Sequence, residues 1–229
     1  MATASAYLNP SLIRVDSASI KPKLRGWLHA GSAPLALAAA IVLIALAPTA
    51  RERVALAVFG FTALLLFSTS AVYHISNGRI AAQVTAVLKR VDHSNIFLII
   101  AGTYTPLALL LLPSTRAHLI LWIVWSGAIG GVLMQVFWKN APRWMSAPVY
   151  LALGWVAVGF MRDFASFGGP AIVWLIIAGG VAYSAGAVIY ALKKPNPSLR
   201  WFGFHEVFHS LTVIGFAAHT VAIFLALFH

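Results

Sequence analysis

The chain has 229 residues, of which 61% are hydrophobic and only 9% are charged. A soluble domain carries about 25% charged residues, so this composition excludes an ordinary soluble protein and predicts an integral membrane protein. The net charge of +11 does not indicate nucleic-acid binding, because the basic residues form short clusters between apolar runs. Cysteine is absent, which excludes disulfides, thiolate metal ligands and cysteine nucleophiles.

Seven apolar stretches approach the length of about 20 residues that a membrane-spanning helix needs. In chain order they cover residues 27–47, 54–74, 92–112, 118–138, 144–161, 171–192 and 205–228. Most connections are short and carry turn-forming residues, and the longest, 75–91, has room for a short interfacial helix. The sequence therefore predicts an all-α bundle of seven transmembrane helices in residues 27–229, after an N-terminal tail of residues 1–26.

Lysine and arginine counts predict the orientation of this bundle, because short loops rich in these residues stay in the cytoplasm. Of the 16 lysines and arginines, 12 lie in the N-terminal tail and in every second loop after it. The alternate connections contain 4. This asymmetry predicts a cytoplasmic N-terminus and a C-terminus outside the cell.

Polar side chains at three predicted helix ends are candidates for function, because ionisable groups in a bilayer are costly. His74 ends the second predicted helix, Asp92 begins the third, and His205 begins the seventh. The predicted orientation places all three at the cytoplasmic face. His205 and His209 are one helical turn apart, about 6 Å along the axis, so both can reach one metal ion. His74 can supply a third nitrogen.

Three histidine ligands with an open fourth position for water are typical of catalytic zinc. Asp92 is then a candidate general base. Ser70 lies one turn before His74 and is a candidate to orient an imidazole or to donate to an oxyanion. Structural alternatives remain open for both residues. Asp92 can cap the third helix, and Ser70 can bond to its own helix backbone.

The other polar residues of interest have less specific interpretations. Residues 205–209 satisfy the zinc-protease pattern H-E-x-x-H, but no acidic residue follows to act as third ligand, so that interpretation is not favoured. Glu206 remains an alternative acid/base group. Glycines such as Gly131 and Gly179 allow close helix contact. Three further histidines are interpreted as interfacial residues: His29, His118 and His229. His219 is interpreted as a contact inside the bundle.

Three motifs together resemble the haemolysin III family, the bacterial branch of the progestin and adipoQ receptor group. They are Ser70-x-x-x-His74, then the segment 92–106 that begins Asp92-His93-Ser94-Asn95 and ends at Pro106, and finally His205-x-x-x-His209. The resemblance implies a seven-helix fold with zinc near the cytoplasmic face, held by His74, His205 and His209. It also implies a water-linked Asp92 and a supporting Ser70. Some relatives look like lipid amide hydrolases of the ceramidase type, and bacterial members are linked to haemolysis and membrane lipid homeostasis.

The leading functional hypothesis is a zinc-dependent hydrolase of a lipid amide or ester, acting on membrane lipids at the cytoplasmic face of the bacterial plasma membrane. One alternative is a non-enzymatic regulator of membrane lipid state in which zinc is structural. Another is a pore-forming haemolysin, which the lack of a predicted ring of charges in mid-membrane disfavours. The sequence predicts no particular oligomeric state.

Overall fold

A computed structural model describes the backbone of residues 21–138 and 143–229, and the side chains of all these residues except 143–147. Within these ranges the secondary structure is helical, with no β-strand. The helices are α1 (Trp27–Leu46), α2 (Ala50–Ser76), α3 (Ala82–Leu111), α4 (Ser114–Phe137), α5 (Arg143–Gly154), α6 (Met161–Leu192) and α7 (Phe204–Leu227). A 3₁₀ segment, Trp155–Phe160, joins α5 to α6. The predicted all-α class is therefore confirmed, whereas most of the predicted N-terminal tail, residues 1–20, lies outside the described residues.

Six helical stretches in the described residues are long and apolar enough to cross a membrane. Five of them are α1, α2, α3, α4 and α7, and the sixth is the 45-residue stretch Pro148–Leu192. That stretch is interrupted at Gly169, whose backbone angles of φ 72° and ψ 175° are not helical. Glycine adopts a positive φ at little cost, and Pro170 then restarts the helix where its missing N–H is not needed. The membrane-helix architecture is confirmed, and the count of seven crossings and the orientation stay predictions.

The third helix differs most from its predicted bounds. It begins at Ala82, well before Asp92, and takes up most of the connection in which a separate interfacial helix was predicted. The residues between contain no glycine or proline, and the charged pair Lys89 and Arg90 lowers hydropathy without breaking a helix. Asp92 therefore lies inside α3 and does not cap it. The N-cap position belongs to Ala81.

The predicted fifth and sixth helices also have different ends in the structure. The fifth, predicted over 144–161, becomes α5 followed by the tighter 3₁₀ segment. The sixth, predicted to begin at residue 171, matches only the part of α6 that follows the break at Gly169. The predicted loop at 168–170 thus contracts to a single non-helical residue, because one glycine at positive φ suffices to redirect the chain.

The central helix of the bundle is α3. In its most apolar window 72% of the residues are buried, compared with 22% in α4 and 56% in α2. Phe97 of α3 is fully buried, and its ring occupies the space that a side chain at Gly131 of α4 would need. The same helix approaches α2 at Gly102, where an added Cβ would collide with Thr62. Small residues therefore bring neighbouring helices close to α3, as predicted for the glycine at 131.

The described residues before α1 are tied to the start of α7. The backbone N–H groups of Lys23 and Leu24 donate to the carbonyls of Arg200 and Trp201, at 3.0 and 3.3 Å. Arg25 donates through Nε to the carboxylate of Glu206, whose side chain is 1% exposed. The other carboxylate oxygen of Glu206 accepts from the N–H of Gly203 at 2.8 Å. One buried carboxylate therefore caps α7 and holds the N-terminal segment over it.

Removing the cation from this pair is expected to destabilise the protein. Arg25→Ala leaves the buried Glu206 carboxylate without its partner, which costs about 3–5 kcal/mol in the free energy of unfolding. Adding Glu206→Gln to Arg25→Ala is expected to recover part of the loss, because the amide oxygen can still accept from Gly203. Thermal unfolding in detergent measures both variants. Arg51→Ala, at an exposed position, is the control, and equal stability of Arg25→Ala and Arg51→Ala would contradict the expectation.

Candidate metal centre

Three histidines from two helices meet at one end of the bundle. His74 comes from α2, and His205 and His209 come from α7. One ring nitrogen of each residue lies within 4.8 Å of the other two. The Nε2 atoms of His74 and His205 are 3.1 Å apart. These three histidines, called the histidine group below, can hold a metal ion.

Helix ends position the histidine group. His74 lies in the last turn of α2, and His205 and His209 lie in the first turns of α7, where their ring centroids are 4.5 Å apart. Gly26 lets the N-terminal segment pass directly over α2, since a Cβ added there would lie 3.0 Å from the Cβ of His74. Its φ of 88° also favours glycine. The capped start of α7 and the end of α2 are thereby held together beneath this segment.

Asp92 and Ser70 join the same site, as their places in the predicted bundle suggested. The Oδ2 atom of Asp92 lies 3.8 Å from Nε2 of His74. The side chain of Ser70 is 2% exposed and hydrogen bonds to the Asp92 carboxyl group. Among the described residues its partner is thus the carboxylate, and no hydrogen bond joins it to an imidazole or to its own helix backbone. The helices α2 and α3 pack closely enough to bring the two side chains together.

Glu206 does not join the histidine group. Both of its carboxylate oxygens have other partners, Arg25 and the N–H of Gly203. The two histidines of the H-E-x-x-H pattern come together, but its glutamate serves as an ion-pair and helix-capping residue. The alternative acid/base role of Glu206 and the zinc-protease interpretation therefore have no structural support.

His29 is a residue of this site that the sequence interpretation missed. It is 2% exposed, and its ring stacks on that of His209 with centroids 3.8 Å apart and planes 7° from parallel. Within the described residues neither of its ring nitrogens has a hydrogen-bond partner. The interfacial interpretation was wrong because α1 turns this residue inward, towards α7. The sequence feature that could have predicted it is that His29 lies at the same predicted membrane face as His74.

The predicted bundle contact of His219 is confirmed, and the interfacial positions of His118 and His229 stay predictions. His219 is buried, and its Nε2 lies 3.3 Å from the carbonyl oxygen of Ile176, which is a contact inside the bundle. His118 and His229 are exposed at the ends of helices, as interfacial residues would be.

A cavity of about 1110 Å³ extends from the histidine group into the bundle. His74, Asp92, His205 and His209 line one end of it, and apolar residues of α3, α6 and α7 line most of the rest. Asp92 is the sole acidic residue in the described lining. A cavity of this size and character can enclose a long apolar chain.

Basic residues surround the end of the cavity at the histidine group. Arg25, Lys89 and Arg90 all line it there. Lys21 lies nearby, outside the membrane-spanning helices, and its Nζ donates to the carbonyl of Asn77 at 3.1 Å. Partial burial lowers the pKa of Lys21, and the charges of Arg25 and Arg79 lower it further. Positive charge is thus concentrated at this end of the cavity.

Comparison with known proteins identifies the family of this chain. A family model described as haemolysin-III related matches residues 18–220. A Hemolysin-3 homolog of Bacillus subtilis (strain 168) is 34% identical over 185 residues, which cover 80% of this chain and 82% of the relative. Hemolysin-3 of Bacillus cereus is 32% identical over 170 residues, which cover 72% and 76%. The chain therefore belongs to the haemolysin III family and is an integral protein of the plasma membrane.

Proposed function

We propose that this protein is a zinc-dependent membrane hydrolase that cleaves a lipid amide or ester at the histidine group. The observation that carries the proposal is a buried carboxylate, Asp92, beside three converging imidazoles at the end of a large apolar cavity. Each part has a use in hydrolysis. The imidazoles are metal ligands, the carboxylate is a base, and the cavity can hold an acyl chain.

The donor atoms favour zinc. Imidazole nitrogen suits zinc among the common metals, and three protein ligands with an open position are typical of its catalytic sites. Two nitrogens at about 2.0–2.1 Å from a tetrahedral zinc ion lie roughly 3.3 Å from each other. The observed separation of 3.1 Å between His74 Nε2 and His205 Nε2 is close to that value. Zinc bound there would supply Lewis-acid activation of water and of a substrate carbonyl.

The residues of the chain supply the proton transfers. Asp92 accepts a proton from the attacking water on Oδ2 as the water oxygen bonds to the acyl carbon. It then returns that proton to the leaving nitrogen or oxygen as the acyl bond breaks. Ser70 holds the Asp92 carboxyl group in place through its hydrogen bond. The products are a fatty acid and an amine or an alcohol.

The proposal includes a topology with seven crossings and a cytoplasmic N-terminus. The stretch Pro148–Leu192 would rise by about 67 Å as one helix, more than twice a hydrocarbon core of about 30 Å. Two crossings that meet at Gly169 fit this length. Together with the loop charges, this count supports a cytoplasmic position for the histidine group.

Labelling of single cysteines tests the topology, because the chain has no cysteine of its own. Asn77 and Ser114 are exposed near opposite ends of the bundle. A membrane-impermeant thiol reagent added to intact cells is expected to label Ser114→Cys and not Asn77→Cys. Both variants should react after the cells are broken. The reverse pattern in intact cells would contradict the orientation.

Metal analysis tests the zinc site. Detergent-purified protein is expected to hold one zinc ion per chain by mass spectrometry, and His205→Ala/His209→Ala is expected to lose it, because a single imidazole of the histidine group remains. His118→Ala, at an exposed histidine, is the matched control and should keep its zinc. Absence of zinc from the wild-type protein, or its retention in the double variant, would refute the assignment.

Lipid turnover tests the role of Asp92. Zinc-loaded protein is expected to hydrolyse an N-acyl or O-acyl lipid in mixed micelles. Asp92→Asn should lower kcat by about 100-fold or more, the usual contribution of a general base, without loss of zinc. Ser70→Ala should cause a smaller loss, since it acts through Asp92.

The control for this test is Asp163→Asn, because Asp163 pairs with Arg116 on another part of the bundle. An unchanged rate in Asp92→Asn would disprove the assigned mechanism. A zinc-loaded protein that hydrolyses no amide or ester lipid would favour the alternative, a regulator of membrane lipid state in which the metal ties α2 to α7.

A further inference from the structure

The deep end of the cavity contains two polar side chains that the proposed hydrolysis does not use. Tyr183 of α6 and His219 of α7 both line the cavity, and their ring centroids are 5.5 Å apart. The Nε2 atom of His219 lies 3.3 Å from the carbonyl oxygen of Ile176. A carbonyl can only accept, so Nε2 carries the proton and Nδ1 of the neutral ring is an acceptor. This acceptor and the Tyr183 hydroxyl are buried and have no hydrogen-bond partner among the described residues.

Two glycines make the space in which these rings lie. A Cβ added at Gly179 of α6 would overlap the ring of His219. A Cβ added at Gly215 of α7 would lie 3.0 Å from the ring of Tyr183. Each helix thus lacks a side chain where the ring of the other helix lies. Gly179 therefore does more than allow the close helix contact predicted from the sequence, since it fixes where the His219 ring sits.

The two unpaired atoms indicate which kind of ligand group could pair with them. A buried acceptor or hydroxyl without a partner costs free energy, which a bound group recovers if it pairs with both atoms. An alcohol does so, because its O–H can donate to Nδ1 of His219 and its oxygen can accept from the Tyr183 hydroxyl. A methylene at the same place leaves both atoms unpaired.

The position of this pair indicates where along a ligand the hydroxyl lies. His209 and His219 are ten residues apart on α7, a rise of about 15 Å. An extended chain advances roughly 1.2 Å per bond, so about 12 bonds span the distance. The same cavity reaches both residues, and its lining between them is mainly apolar.

We propose that Tyr183 and His219 form a second polar subsite, which binds a hydroxyl group partway along the chain of a lipid whose polar end lies at the histidine group. The protein would thus select mid-chain hydroxylated lipids over unsubstituted ones. The direction of the chain rests on the proposed function. The preference for a hydroxyl does not rest on the proposed function, because a preference in binding requires no hydrolysis.

Competition between two fatty acids tests the subsite. Purified wild-type protein is mixed with equal amounts of 12-hydroxyoctadecanoic acid and octadecanoic acid, and native mass spectrometry measures the ratio of the two complexes. The hydroxy acid is expected to be favoured roughly 5- to 10-fold, the gain from about one net hydrogen bond. In Tyr183→Phe, which keeps the ring, the preference should fall to about twofold or less, since one of the two partners is gone.

Matched variants separate the subsite from general effects of substitution. Tyr190→Phe removes a hydroxyl from the same helix at the other end of the cavity and should keep the wild-type preference. Gly179→Ala displaces the His219 ring and should lose it. Gly130→Ala, where an added Cβ meets no atom within 4 Å, should keep it.

The outcomes distinguish this subsite from the hydrolase itself. Equal binding of the two acids by the wild-type protein, binding of neither, or a preference that survives in Tyr183→Phe would overturn the subsite. Zinc-dependent turnover without a hydroxyl preference would overturn the subsite alone. A preference lost in Tyr183→Phe would support the subsite even if no lipid were hydrolysed.

Discussion

The bilayer interior supplies no hydrogen-bond partners, so each polar side chain buried in this bundle needs a partner from the protein or from a ligand. Most of the buried groups in the described residues satisfy that constraint within the protein. Thr62 donates to carbonyls of its own helix, and Asn95 donates to the carbonyl of Leu65 at 3.0 Å. Tyr104 donates to the carbonyl of Gly154 at 2.6 Å and accepts from the N–H of Ala157 at 2.7 Å. Tyr104 thereby joins α3 to the end of α5 and to the 3₁₀ segment that follows it.

The residues that do not satisfy the constraint lie mostly along one cavity. Within the described part of the chain, buried and unpaired side-chain atoms occur at His29, Ser94, Tyr183 and His219, and all of these except Ser94 line the cavity. His29 stacks on a residue of the histidine group, whereas Tyr183 and His219 lie at the far end. Polar groups at two ends of an apolar space match a long amphiphile, and this pattern connects the proposed hydrolysis with the proposed hydroxyl subsite.

The same constraint explains the connection between the N-terminal segment and the histidine group. Glu206 follows His205 directly, and a buried carboxylate there requires a cation and a donor, which Arg25 and Gly203 provide. Pairing Glu206 in this way keeps it out of the site and leaves Asp92 as the carboxylate next to the imidazoles. In the proposed hydrolysis, the ion pair would therefore leave Asp92 as the available acid.

Much of the fold and part of the site could be predicted from the sequence, because both follow from short-range spacing. Apolar runs of membrane length give the helices, and four-residue spacing puts His205 and His209 on one helix face whatever the rest of the chain does. Loop charges and helix order predicted that His74 and Asp92 lie at the same membrane face as these two histidines. Contacts that depend on how helices rotate against one another could not be predicted: the burial of His29 against His209, the pairing of Ser70 with Asp92, and the meeting of Tyr183 with His219. The sequence determines which residues share a helix face, but only packing between helices decides which faces meet, because a residue that leaves space for a ring, such as Gly179 for His219, acts on a neighbour distant in the chain.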